Sequence, residues 1–150
     1  MSIKSITSLV LVVLSLIAIT SANIWSYCPG NVDSTFEIDT LTVTPDPPII
    51  GKGAFVQLSG NLNQEVTEGA SIFSLQYYID GGWRNLPTFK NNVCSLLSCP
   101  VQPGPLNFNT TIKVPFITPP GQYQGTLLLT DQNNRNISCL TFQTTMGYSI

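Results

Sequence analysis

The chain has 150 residues, six Lys and Arg against eight Asp and Glu, no histidine and a formal net charge of −2. A weakly acidic surface lacks the clustered cations that nucleic acid requires. The lack of histidine removes Ser-His-Asp and Cys-His catalysis and histidine-based metal sites. A single domain with one apolar core is expected at this length.

Residues 1–22 read MSIKSITSLVLVVLSLIAITSA. Lys4 precedes an apolar core from Leu9 to Ile19, and the small residues Thr20, Ser21 and Ala22 close it, which is the order of a cleaved secretory signal. The apolar run falls short of the ~20 residues needed to span a bilayer. The mature domain is expected in residues 23–150, soluble, and either secreted or in an endosomal or lysosomal lumen.

From Phe36 onward the apolar residues recur with period two, the strand signal. Phe36 and Ile38 alternate with polar neighbours, then Leu41 and Val43 do so in shifted phase, which predicts a bulge at Asp39-Thr40. PDPPIIGKG, residues 45–53, is a turn-rich break. Ala54, Val56, Leu58, Gly60 and Leu62 mark the next strand. In IFSLQYYI, residues 72–79, Phe73, Leu75, Tyr77 and Ile79 share one face.

Asp80-Gly81-Gly82 ends that strand, and Trp83 and Arg84 are expected at a loop tip, within reach of a membrane or a lipid headgroup. Phe108, Thr110, Ile112, Val114 and Phe116 form the inward side of a further strand. TPPGQY, residues 118–123, turns the chain into a strand carrying Tyr123, Gly125, Leu127 and Leu129. Ile137 to Met146 makes the last one. No segment keeps a 3.6-residue stripe, and 11 prolines and 11 glycines oppose long helices.

Four cysteines in a secreted chain allow three disulfide pairings. Cys94 and Cys99 are near enough to close a small loop, which leaves Cys28 for Cys139. Asn109-Thr110-Thr111 and Asn136-Ile137-Ser138 are N-glycosylation sequons, and the alternation places Asn109 on an outer face. About seven short strands in one stapled domain predict an all-β fold, an antiparallel β-sandwich of immunoglobulin-like type.

Two carboxylate pairs remain as catalytic candidates: Glu37 with Asp39, and Glu65 with Glu68. Acid/base work needs one partner desolvated, and both pairs read as solvated, so no enzyme is expected.

Cys28, the strand TLTVTPDPPIIGKG, the loop VCSLLSCPVQPGP, the KVPF segment from Lys113 and a last cysteine after a Leu-rich strand together resemble the ML lipid-recognition domain. That family holds the Niemann-Pick type C sterol carrier and the phosphatidylglycerol/phosphatidylinositol transfer proteins. The likeness covers nearly all of residues 25–146 and is nearest to the phospholipid-transfer branch. The third disulfide usual in sterol carriers has no counterpart around Asp46-Pro47-Pro48.

The resemblance implies an apolar cavity between the sheets, holding one phospholipid or sterol. It turns residues that periodicity makes merely core into expected pocket wall: Val43, Ile50, Val56, Leu58, Phe73, Leu75, Tyr77, Leu86, Val114, Phe116, Tyr123, Leu127 and Leu129. Phe116 and Leu86 are expected at the rim. The Cys94–Cys99 loop would stiffen the mouth and hold Leu96 and Leu97 outward. A monomeric carrier that touches membranes transiently and uses no cofactor or metal is the implied function. The competing reading is a secreted recognition or adhesion module with a solid interior.

Overall fold

The computed structural model describes residues 24–30 and 33–149; the leader expected at 1–22 lies outside them. The described chain is all-β, in two antiparallel sheets. Nine strands run in the order β1 (Trp25–Tyr27), β2 (Phe36–Thr44), β3 (Gly53–Leu62), β4 (Gly69–Ile79), β5 (Gly82–Asn85), β6 (Phe89–Asn92), β7 (Gly104–Lys113), β8 (Gly121–Asp131) and β9 (Asn136–Met146). The smaller sheet is β2-β3-β7; the larger is β1-β9-β8-β4-β5, with β6 also paired to β4.

The expected bulge is present, because the β2–β3 register shifts between Ile38 and Thr40. The one extra residue, Asp39, keeps Phe36 and Ile38 on the same face as Leu41 and Val43, so the phase change in the sequence is absorbed without turning an apolar side chain to water.

Two expectations change. Trp83 and Arg84 do not sit at a loop tip. Asp80 and Gly81 both take positive φ, 52° and 77°, the geometry of a two-residue primed hairpin turn. The turn sends the chain straight back as β5, with Trp83 opposite Tyr78 and Arg84 opposite Tyr77. The strand expected through Phe116 ends at Lys113. Pro115 has no N–H to continue a ladder, and Phe116 lies past the end, 73% exposed.

The packed core sits at one end of the sandwich. Phe36, Leu62, Val66, Val93 and Ile137 are buried there, with Ile38, Leu58, Leu97, Leu106 and Leu129 against them. These residues come from both sheets, which fixes the faces that oppose one another. Each fully buried side chain of this kind contributes about 1.5–3 kcal/mol.

Cys28–Cys139 spans 111 residues and Cys94–Cys99 spans five. The long bridge ties β1 to β9, and β1 in turn clasps the smaller sheet. Trp25 Nε1 donates to the Leu41 carbonyl at 3.1 Å, and the Ile38 N–H donates to Tyr27 Oη at 3.0 Å.

Candidate functional site between the sheets

Ladder register sorts the inner face of the larger sheet into rows. Phe73, Leu127 and Leu140 form one row, Leu75, Gly125 and Phe142 the next, and Tyr77, Tyr123 and Thr144 the third. Opposite them, Leu41, Leu58 and Phe108 form a row on the smaller sheet, followed by Val43, Val56 and Thr110. Burial varies along these rows.

At the Phe36 end Phe36, Leu62 and Ile137 are buried, with Ile38, Leu106 and Leu129 partly buried against them. At the other end Tyr123, Ile50 and Ala54 are buried, at 1%, 3% and 4% exposure. Between the ends Leu41, Val43, Val56, Leu58, Phe73, Leu75, Phe108, Leu127 and Phe142 are only half-buried, although each points at the facing sheet. Phe73 stacks on Phe142 with centroids 5.6 Å apart, and its other flank meets Phe89 at 6.3 Å. Phe89, at the sheet edge, is 54% exposed.

The Tyr123 end is braced by polar anchors. Tyr77 Oη donates to the Pro120 carbonyl at 3.0 Å and Tyr123 Oη to the Pro119 carbonyl at 2.6 Å. Their rings lie 4.9 Å apart. Burial raises the Tyr123 hydroxyl above its ordinary pKa, and the neighbouring Tyr77 and Tyr148 push the same way. Tyr123 therefore stays a neutral donor and holds the 118–121 turn.

Beyond this brace the end is apolar and open. Inward-facing Ile79 and Ile112 are 44% and 56% exposed, and Phe116 and Ile117 stand out at 73% and 90%. Phe116 leans on Tyr148 at 5.5 Å. Lys52, Arg84 and Lys113 lie at the same end, all exposed.

The thirteen expected wall residues divide accordingly. Val43, Val56, Leu58, Phe73, Leu75, Tyr77, Leu127 and Leu129 lie half-buried on the two inner faces, and Tyr123 lies buried among them. Ile50 is buried in the β2–β3 turn, where its N–H donates to the Gly147 carbonyl at 2.8 Å. Val114 follows β7 and is half-buried, Phe116 is exposed, and Leu86 follows β5, bonded through its N–H to the Leu75 carbonyl. Phe108, expected on the inward side but not in the wall, and Phe142, not singled out, occupy the same inner faces; both belong to period-two runs, so alternation is enough to find them.

The Cys94–Cys99 loop is placed differently from the expectation. A single 3-10 turn, Val93–Ser95, buries Val93, and Leu97 packs on the Phe36 core while only Leu96, 55% exposed, faces water. The loop therefore caps the packed end, opposite Phe116 and Ile117. Val93 and Leu97 lie four residues apart on a turn, so both fall on the side facing the core.

A concavity of about 740 Å³ lies on the outer face of the larger sheet. Of the thirteen residues only Leu75 and Leu86 border it. Asn109 is exposed on the outer face of the smaller sheet, and Asn136 is half-buried at the start of β9. Asp39 is the unpaired residue of the β2 bulge and Glu37 precedes it, both exposed.

A sequence profile described as the ML domain matches residues 22–146. The chain belongs to the ML-domain family. This ML domain is 54% identical over 136 residues to a Dictyostelium discoideum protein named for phosphatidylglycerol/phosphatidylinositol transfer, covering 91% of this chain and 94% of that one. A phosphatidylglycerol/phosphatidylinositol transfer protein of Pyricularia oryzae is 31% identical over 121 residues, covering 76% and 66%.

Among solved structures, a Niemann-Pick type C2 protein from the Japanese carpenter ant superposes with a TM-score of 0.62 at 15% identity, over 83% of this chain and 99% of that one. Chicken MD-1 complexed with lipid IVa gives 0.54 at 20% identity, over 79% and 85%. At these identities the structural likeness carries the sandwich fold. The two relatives are named for phosphatidylglycerol/phosphatidylinositol transfer, and chicken MD-1 is in complex with a lipid.

Proposed function

We propose that this ML domain carries one phospholipid between membranes, with its acyl chains held between the two sheets. The single observation that carries the reading is the burial profile of the inner faces. Inward side chains pack around Phe36, are only half-buried at Val43, Val56, Phe73, Leu75 and Leu127, and are exposed at Ile79 and Ile112, which supports an apolar gap between the sheets that opens at that end. A 16-carbon chain removed from water stabilises its complex by on the order of 10 kcal/mol. No covalent step is needed.

The open end supplies the route. Ile79, Ile112, Phe116 and Ile117 present apolar surface where a bilayer could wet the mouth, and such patches mark contact sites. Arg84 shares the inner-facing side of the β4–β5 ladder with Tyr77 and can meet a lipid phosphate by charge-assisted hydrogen bonds. Relatives named for phosphatidylglycerol and phosphatidylinositol support an anionic phospholipid as cargo. The leader, secretion, monomeric state and glycans at Asn109 and Asn136 belong to the same proposal, with disulfides that suit an oxidising compartment.

The test is native mass spectrometry of secreted protein, followed by transfer of a fluorescent phosphatidylglycerol between vesicles. Wild type should carry one lipid. Leu127→Lys, which puts an ammonium into the waist, should fold and lose both lipid and transfer. Full transfer by folded Leu127→Lys overturns the assignment of the waist as the pocket.

A further inference from the structure

The outer face of the larger sheet is not a flat solvent surface. Its groove of about 740 Å³ falls within the roughly 300–1,000 Å³ typical of ligand sites. β9, β8 and β4 form the floor, β1 walls one side, and the chain from Asn85 to Thr88 walls the other. Among the described residues no Asp, Glu, Lys or Arg lines it.

Register arranges the lining by chemistry. Ser26, Thr141, Thr126 and Ser74 stand side by side across β1, β9, β8 and β4, a row of four hydroxyls. The adjacent row is Gln143, Gln124, Gln76 and Asn85, four amides across β9, β8, β4 and β5. Gln124 Nε2 donates to Gln76 Oε1 at 2.6 Å, and Gln76 Nε2 donates to Asn85 Oδ1 at 2.7 Å. This chain of amides leaves the Gln124 Oε1 acceptor at one end and the Asn85 Nδ2 donor group at the other. The next row contains Tyr78 and Trp83, with rings 5.2 Å apart and Tyr78 40% exposed.

We infer that this groove binds a neutral oligosaccharide. A sugar hydroxyl both donates and accepts, so it satisfies either end of the amide chain and the hydroxyl row beside it. A planar amide can serve two neighbouring hydroxyls, and an aromatic ring can cover the apolar face of a pyranose. The charge pattern decides against ionic partners. A phosphate or an acidic or basic peptide would forfeit its own solvation and meet no counter-charge. An apolar helix would leave the amides buried without partners. The hydroxyl and amide rows lie on the opposite face of the sheet from the proposed waist, although Leu75, Leu86 and Phe142 border the groove as well.

The experiment is isothermal titration of the full secreted protein, its own N-glycans removed, with neutral gluco-, manno-, galacto- and chito-hexaoses at millimolar concentration. Sedimentation and vesicle transfer are measured alongside. At least one hexaose should bind, and its titration should shift the side-chain amide NMR signals of Gln76, Asn85 and Gln124. Gln76→Leu, which removes both amide bonds, should lower affinity about tenfold or more, equivalent to about 1.4 kcal/mol, with lipid transfer unchanged. No binding by any of the four overturns the inference. So does binding that Gln76→Leu leaves intact, or a dimer through this face that excludes sugar and assigns the groove to a second copy.

Discussion

Removing the two disulfides one at a time separates what each does. Cys28–Cys139 closes a loop of 111 residues and Cys94–Cys99 one of five. In the chain-entropy relation these correspond to ~4.8 and ~2 kcal/mol of destabilisation on removal. The unfolding entropy of roughly 125 ordered residues is ~0.26 kcal/mol/K, so the expected falls in Tm are ~18 °C for Cys28→Ser/Cys139→Ser and ~8 °C for Cys94→Ser/Cys99→Ser. The structure adds a reason for the larger value. Without the long bridge, the three-residue β1 must hold Trp25 on Leu41 and Tyr27 on Ile38 through one short ladder. Calorimetry of both variants, with reversibility established, is the assay. Equal shifts, or a larger one for the short loop, would refute the loop-entropy reasoning.

Negative charge introduced at the open end should act on membranes alone. Phe116→Asp with Ile117→Asp, at 73% and 90% exposure, should leave Tm within about 2 °C and reduce vesicle association and transfer severalfold. Arg84→Glu should slow transfer of phosphatidylglycerol more than that of phosphatidylcholine, measured in parallel vesicle assays. Gly60→Ala should unfold readily in urea, losing about 2–4 kcal/mol, because a Cβ there would run into the Glu37 carbonyl and the Phe36 ring at the bulge. Asp131 is buried; burial opposes its charge, but the Arg135 and Asn133 N–H groups and the Arg135 guanidinium prevail and hold its pKa below the ordinary value. A depressed carboxyl stabilises above its unfolded pKa of about 3.9 and loses that contribution as pH falls through the folded one. Asp131→Asn should therefore cost about 1–3 kcal/mol at pH 7 and much less at pH 2, by urea titration at both values.

Most of the sandwich was legible in the chain because inward and outward residues alternate over eight or more positions in β2, β3, β4 and β8. The phase slip at Asp39 even located the bulge. Strands of three or four residues, β1, β5 and β6, are too short for alternation to register. In β5 the two-residue Asp-Gly turn was read as a stop. Phe116 failed because its place in an alternating run continues across Pro115, where the ladder cannot. The outer groove was invisible for another reason. Ser, Thr, Gln and Asn at alternate positions read as ordinary solvent-facing residues, and only the cross-strand register reveals that their amides and hydroxyls line up in rows.

The position of β9 has a consequence for synthesis. It lies between β8 and β1, so the first described strand emerges from the ribosome well over a hundred residues ahead of its hydrogen-bonding neighbour. A nascent chain stalled before residue 136 would hold β8 with a bare edge, Cys28 without its thiol partner and the clasp over Leu41 unsupported. Such a chain should be protease-sensitive throughout, and resistance should arrive in one step when the last eleven residues of ladder are released.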